Sequence, residues 1–376
     1  MTATDDMTTT KPAAEQTKRD AAPAPEAVRA EQPRRMRTRT LDDVASMVGA
    51  AAGSLALTWL LYLRILPLFG LLGFLLMWFT LFLIMYAGVT SVANPRPVVV
   101  DRLVAAVVGG GALVVGVALL STVLYTFIRG IKALSHLNIF VNDMGGVAPQ
   151  APLDQGGVLH AIVGSLIELG IAVVIAMPLG IAVAVYMTEV GGRLARITRT
   201  LVEAMTGLPD ILAGLFIYVV LVVGLQFPKS GFAAGLALSV TMLPIIARAA
   251  DVVLRVVPGG LREAGLALGA SHWQTVWRVV LPTARPGLAT AVILGMARGI
   301  GETAPVLIVS GASTFLNKNP LNYTMNSLPL FAYTAVRSGQ DLYIQRGFAA
   351  ASILLGVVML LFVVIRWLAR SRVGGR

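Results

Sequence analysis

The chain has 376 residues, 56% of them hydrophobic and only 13% charged, about half the charge of an average soluble domain. With a mean hydropathy of +0.79, this composition excludes a water-soluble globular protein. The absence of cysteine excludes a disulfide framework, a thiolate metal site and a thiol nucleophile. His136, His160 and His272 are too scattered for a histidine-built metal centre, and the apolar runs are continuous rather than alternating, which excludes a transmembrane barrel. The net charge of +11 does not point to nucleic acid, because the basic residues lie where a membrane protein carries them.

Residues 1–40 are rich in Ala, Pro, Thr and charge, with no apolar block to act as a secretory signal, and read as a disordered cytoplasmic tail. Arg34, Arg35, Arg37 and Arg39 at its end either touch anionic headgroups of membrane lipid or hold the terminus in the cytoplasm, the second reading being favoured. From Val44 to Val92 the chain is apolar for longer than one span, with interruptions near Arg64 and Pro67, so a transmembrane hairpin is expected over 41–96. Further spans are expected at about 103–128, 158–187, 200–226, 231–256, 287–311 and 347–369, eight in all. With the N-terminus inside, the inside segments hold twenty Lys and Arg against seven outside, which places both termini in the cytoplasm. Two long polar loops, about 129–157 and 312–346, then face outward; they either cap a pore, receive an external partner or merely connect.

The inside loop at 258–285 carries the most information. Pro258 suits a helix start, Leu261, Ala264, Gly265 and Leu268 share a face, and Gly269 suits a stop. Ser271 with Gln274 reads as a capping box, after which Trp273, Val276, Trp277 and Val280 recur at helical spacing until Pro282 ends the helix. Two short amphipathic helices are thus expected, as an interfacial anchor or as a knob for a soluble partner. Glu263-Ala264-Gly265, three residues, Gly269, nine residues, Val279, one residue and Leu281-Pro282 resembles the EAA loop of the membrane subunits of bacterial ABC importers. Gly265 stands for the family's Ala and Val279 for its Ile. The resemblance implies that Glu263, Ala264, Gly265, Gly269, Leu281 and Pro282 dock on a cytoplasmic ATPase and transmit its closure. The chain has no phosphate-binding loop of its own. ATP and Mg would bind separate ATPase subunits, and no cofactor or metal is expected in this chain, which is not itself an enzyme.

The seventh expected span reads GLATAVILGMARGIGETAPVLIVSGAS. Arg298 and Glu302 stand four apart in it, and Arg298 lies roughly 17 Å past Gly287, near the bilayer midplane. A charge at that depth costs roughly 2.5–3.5 kcal/mol on insertion scales and normally faces protein or water. Two readings follow. The pair is a structural ion pair, or Arg298 meets an anion and Glu302 positions it or accepts a hydrogen bond from a protonated one. A guanidinium fork suits tetrahedral oxyanions, and Gly295, Gly299 and Gly301 leave room beside it.

The string ARGIGETAP, Ala297 to Pro305, resembles the signature of the phosphate importer permeases of the PstA type. Gly156 to Glu189 and TGLPDILAGLF, Thr206 to Phe216, resemble the same family in the same order, and the likeness covers about Leu103 to Trp367. It implies an all-α polytopic fold with a six-helix importer core in the bacterial plasma membrane. The first core helix and outer loop would occupy 97–157 and the transmembrane domain 158–370, with 371–376 as a cytoplasmic tail. It further implies a phosphate path shared by alternating access with a homologous PstC-type permease, two PstB-type ATPases and an extracytoplasmic PstS-type phosphate-binding protein. The alternative cargo is another oxyanion or small solute. Arg298 and Glu302 carry over as the family's intramembrane pair. The tail and the hairpin are additions to the six-span core. Asp210 follows Gly207-Leu208-Pro209 where the family pattern suggests a small neutral residue; it lines the path or, the favoured reading, caps the helix restarted at Pro209. Glu168 has no evident partner, with Arg248, Arg298 or a sister subunit as options. Pro178, Pro209, Pro244 and Pro305 fall inside spans and mark kinks.

Overall fold

The computed structural model describes residues 41–66 and 69–370. The charged tail, Pro67 at the expected hairpin turn and the segment 371–376 lie outside the described residues. All regular structure within them is helical, since in hydrocarbon each backbone N–H and C=O must be satisfied within its own segment. Seven helices are long and apolar enough to cross a bilayer, or up to eight if one bent pair counts as a span. The protein is therefore a multi-pass membrane protein.

Contacts divide the chain into two units, up to Val115 and from Gly116. The first contains α1 (Leu41–Trp59, prolonged by a π turn Leu60–Ile65), α2 (Leu71–Ala93) and the start of α3 (Arg96–Leu134). α1 and α2 form the expected hairpin. The Trp78 indole N–H donates to the Ala51 carbonyl at 3.2 Å, and the Tyr62 hydroxyl lies 3.1 and 2.9 Å from the carbonyls of Phe69 and Gly70, closing the turn. An ion pair joins Asp43 to Arg102. α3 is longer than the expected 103–128, because Pro97 falls in its first turn, where a missing N–H costs no helical bond. None of its most apolar window is buried, which suits a helix facing lipid.

The second unit is built around α8 (Gly231–Val256), whose apolar window is 50% buried. Against it pack α5 (Leu159–Val185, with a π turn Tyr186–Val190) and α11 (Leu281–Gly299). Small residues make the approach possible: Gly180 and Gly295 lie against Ile246, and Gly299 against Met242. Lipid supplies no hydrophobic drive between helices, so dispersion across such close contacts holds them. A second cluster joins Ala133 at the end of α3, Ile139 of α4 (Asn138–Val141), Phe331 of α13 (Leu328–Val336) and Ala349 and Ala350 of α14 (Asp341–Arg370).

Two expected spans are corrected. The run 200–226 is a bent pair, α6 (Gly192–Thr206) and α7 (Asp210–Ile217, with a π turn Tyr218–Gly224), meeting at 102°. Gly207 and Pro209 break it, and Arg193, Arg196 and Arg199 make α6 amphipathic. The run 287–311 ends as an α-helix at Gly299 and restarts as α12 (Ala304–Val309), because Gly299, Gly301 and Pro305 interrupt it. Arg298 and Glu302 therefore do not share one helix.

Candidate functional site

Two regions of the second unit bring the singled-out residues together. The first is the loop after α8. Pro258 occupies the cap position of α9 (Gly259–Ala267), as its sequence suggests. Gly269 ends the turn with φ of 81°. Its N–H donates to the Leu266 carbonyl at 2.9 Å and that of Ala270 to the Gly265 carbonyl at 3.2 Å, the paired bonds of a Schellman cap. Gly265 is buried, and a Cβ there would lie 2.9 Å from Thr275. Ser271 and Gln274 form the expected capping box of α10 (His272–Thr275).

The second helix does not stop at Pro282. A π turn, Val276–Val280, carries α10 into α11, so one rod runs from His272 to Gly299. The N–H of Leu281 donates to the Val276 carbonyl five residues back, and the widened turn makes room for the proline ring just after it. Leu281 and Pro282 are half-buried in this rod, whereas Glu263 and Ala264 are exposed. Leu268, Trp273 and Trp277 are exposed as well, so an apolar knob stands free.

Sequence reasoning missed what anchors α9. The Arg262 guanidinium meets Glu189, at the end of α5, at 2.8 Å and donates to the carbonyls of Val257 and Leu254 at 2.8 and 3.0 Å. The Glu189 side chain is only 3% exposed. Beside this pair, Asp251 of α8 holds Arg199 of α6 at 3.2 Å and Arg255 at 3.0 Å, and accepts from the Thr188 hydroxyl at 2.9 Å. The only sequence signal was that Arg262 adjoins Glu263; its partner lies 73 residues away.

The second region surrounds Arg298, the penultimate residue of α11. Its Nε lies 2.9 Å from Glu302, and its Nη2 pairs with Asp210. The cap reading of Asp210 is thus corrected: Pro209 holds the cap position of α7, no side chain caps it, and the Asp210 carboxylate turns to Arg298 instead. The Arg298 side chain is 52% exposed, Asp210 31% and Glu302 11%. Arg298 and Asp210 line a cavity of about 150 Å³ together with Thr206, Pro209, Thr241 and Pro244. That is room for several waters or one small anion. The remaining N–H groups of Arg298 meet no protein acceptor among the described residues.

Glu168 does not join this cluster. It is 1% exposed within α5, and the Ser310 hydroxyl stands 2.9 Å from it and 2.7 Å from the Met325 carbonyl. Pairing with Arg298 or Arg248 is therefore corrected to a hydroxyl contact that no charge pattern announces. Arg248 is exposed on α8 and makes no ion pair among the described residues.

The family described as binding-protein-dependent transport system inner membrane component matches residues 176–373. The chain is 41% identical over 231 residues to the phosphate transport system permease protein PstA 1 of Mycobacterium tuberculosis (strain ATCC 25618 / H37Rv), across 61% of this chain and 74% of that one. It is 40% identical over 268 residues to the phosphate transport system permease protein PstA of Mycobacterium leprae (strain TN), across 70% and 86%. Among solved structures, an inward-facing MetNI methionine ABC transporter chain aligns with a TM-score of 0.45 at 23% identity, covering 57% of this chain and 94% of that one.

Proposed function

Because the chain belongs to the binding-protein-dependent transport inner membrane component family, and within it to the PstA-type phosphate transport permeases, we propose that it is a permease subunit of an ATP-driven importer of inorganic phosphate. The observation that carries the reading is Arg298, a half-exposed guanidinium facing a cavity at one end of the rod whose other end is the EAA-like turn. That rod has 28 residues, roughly 42 Å at helical rise.

Phosphate carries one to two negative charges near neutral pH and does not cross hydrocarbon unaided. A binding protein on the outside delivers it, and a PstC-type permease encloses the path with this chain. Two PstB-type ATPases receive the exposed knob around Leu268, Trp273 and Trp277, placing that face and both termini in the cytoplasm, as the basic-residue count supports. ATP and Mg bind those ATPases; this chain needs neither. When the ATPases close, α9 moves, and with it α5 through Arg262 and Glu189 and the Arg298 end of the rod. No bond of the substrate is made or broken. The binding energy of ATP shifts the path between outward and inward access.

The test is reconstitution of the full complex in proteoliposomes, with ATP-dependent uptake of radiolabelled phosphate measured for wild type and Arg298→Gln. The expected outcome is wild-type uptake that falls at least a hundredfold in an assembled mutant complex. Uptake unaffected by the mutation would return Arg298 to a structural ion pair. A competent complex that carries another oxyanion and no phosphate would leave the importer and replace its cargo.

A further inference from the structure

We propose that Asp210 is the resident counter-anion of Arg298, and that the transported oxyanion takes its place on the guanidinium in each cycle. The inference rests on the reading of this chain as an oxyanion permease and adds to it a residue that both admits and expels the cargo.

With both carboxylates ionised, one guanidinium against Asp210 and Glu302 leaves the cluster with an excess negative charge. An arriving anion is repelled until one carboxylate withdraws. The two are not equivalent. Glu302 is the more enclosed, stands on the break directly after the Arg298 helix, and approaches Nε. Asp210 is the more exposed, comes from a segment 88 residues away, and shares the cavity with Arg298, which Glu302 does not line.

Asp210 is also placed to leave. It is the first residue of α7, directly after the Gly207-Leu208-Pro209 break where the chain turns by 102°. Farther along, Gly214 of α7 lies directly on Pro305 of α12, so the helix is held while its first residue stands at the hinge. Rotation about the Asp210 side chain, which is 31% exposed, moves the carboxylate off Arg298 and away from the anion's place in the cavity. Exchange keeps the guanidinium paired in every state, which a cation inside the bilayer requires. The returning carboxylate then competes the anion off and gives the release step.

The assembled complex of both permeases and both ATPases, in detergent without the binding protein, is equilibrated with radiolabelled inorganic phosphate. Asp210→Asn is expected to raise retained phosphate several-fold and to slow ATP-driven uptake several-fold, because nothing expels the anion. Adding Arg298→Gln should remove the gain in retention. A contact that only braces the fold gives no gain in retention when removed, and a gain in retention without slower ATP-driven uptake marks a simple charge effect and overturns the exchange. An assembled Asp210→Asn complex with unchanged or lower retention overturns the proposal, as does a gain that survives Arg298→Gln. If the Asn variant does not assemble, Asp210→Ser is measured in the same way. Failure of both to assemble assigns Asp210 to structural pairing and also overturns the proposal. A wild-type complex that carries no phosphate removes the cargo reading instead, and the retention assay is then run with the oxyanion it does carry.

Discussion

Arg262 and Arg298 are both guanidiniums held by carboxylates, yet their surroundings suit them to opposite tasks. Arg262 meets a side chain that is 3% exposed and two backbone carbonyls, so it has nothing left to exchange. Arg298 is half open to a cavity and retains unused donors. Replacing Arg262 with Ala should strand Glu189, costing about 3 kcal/mol. The expected readout is a lower thermal midpoint of the purified complex and ATP hydrolysis no longer linked to uptake. Arg262→Lys should recover only part of this, because an ammonium cannot form the two-pronged contact; full recovery would reduce the pair to a simple charge contact. Arg298 and Glu302 are legible in the sequence because ionisable residues stand out in an apolar run. Asp210 and Glu189 are visible as charges, but their partners lie 88 and 73 residues away and only folding brings them together.

Among the elements, the proposed coupling path runs through the turn between α9 and α10 and the rod that follows. Gly269 has open space around its Cα but a φ of 81°. A side chain there meets no neighbour and instead pays the left-handed penalty of about 1–2 kcal/mol. Gly269→Val should therefore loosen the turn without disturbing the membrane helices. The expected result is lost co-purification of the ATPase with unchanged helical content by circular dichroism; retained co-purification with normal uptake would remove the turn from the coupling path. The cap residues Ser271 and Gln274 and the stop at Gly269 are legible because they act within one turn of chain. Pro282 is not, since whether a proline ends a helix depends on whether the backbone just before it can widen, and here a π turn does so. The bent pair at Gly207–Pro209 likewise reads as a single span by hydropathy alone, because composition does not report direction.

In the second unit as a whole, the two long polar loops, 129–157 and 312–346, are hydrogen-bonded to each other. The Met144 N–H donates to the Thr314 carbonyl at 2.9 Å, and the Leu316 N–H to the Asp143 carboxylate at 2.7 Å. Arg346, which reads as an outer-loop charge, sits fully buried in α14 and donates to the carbonyls of Ala151, Pro152 and Gln155 at 2.9, 2.7 and 2.9 Å. Arg346→Met should leave those carbonyls unsatisfied, expose 149–155 to limited proteolysis and reduce binding-protein-stimulated uptake, with the ATPases still attached. An uncut loop would show that its other contacts suffice. By itself the sequence determined the helical class, the membrane setting, the hairpin, the capped turn at Gly269 and the Arg298–Glu302 pair, because hydropathy, caps and a charge in an apolar run are local quantities. Only the tertiary structure decided that Asp210 occupies Arg298, that Glu189 anchors α9, that Arg346 binds a loop and that one rod joins the turn to the cavity. Those are pairings and continuities set by close packing between segments far apart in the chain.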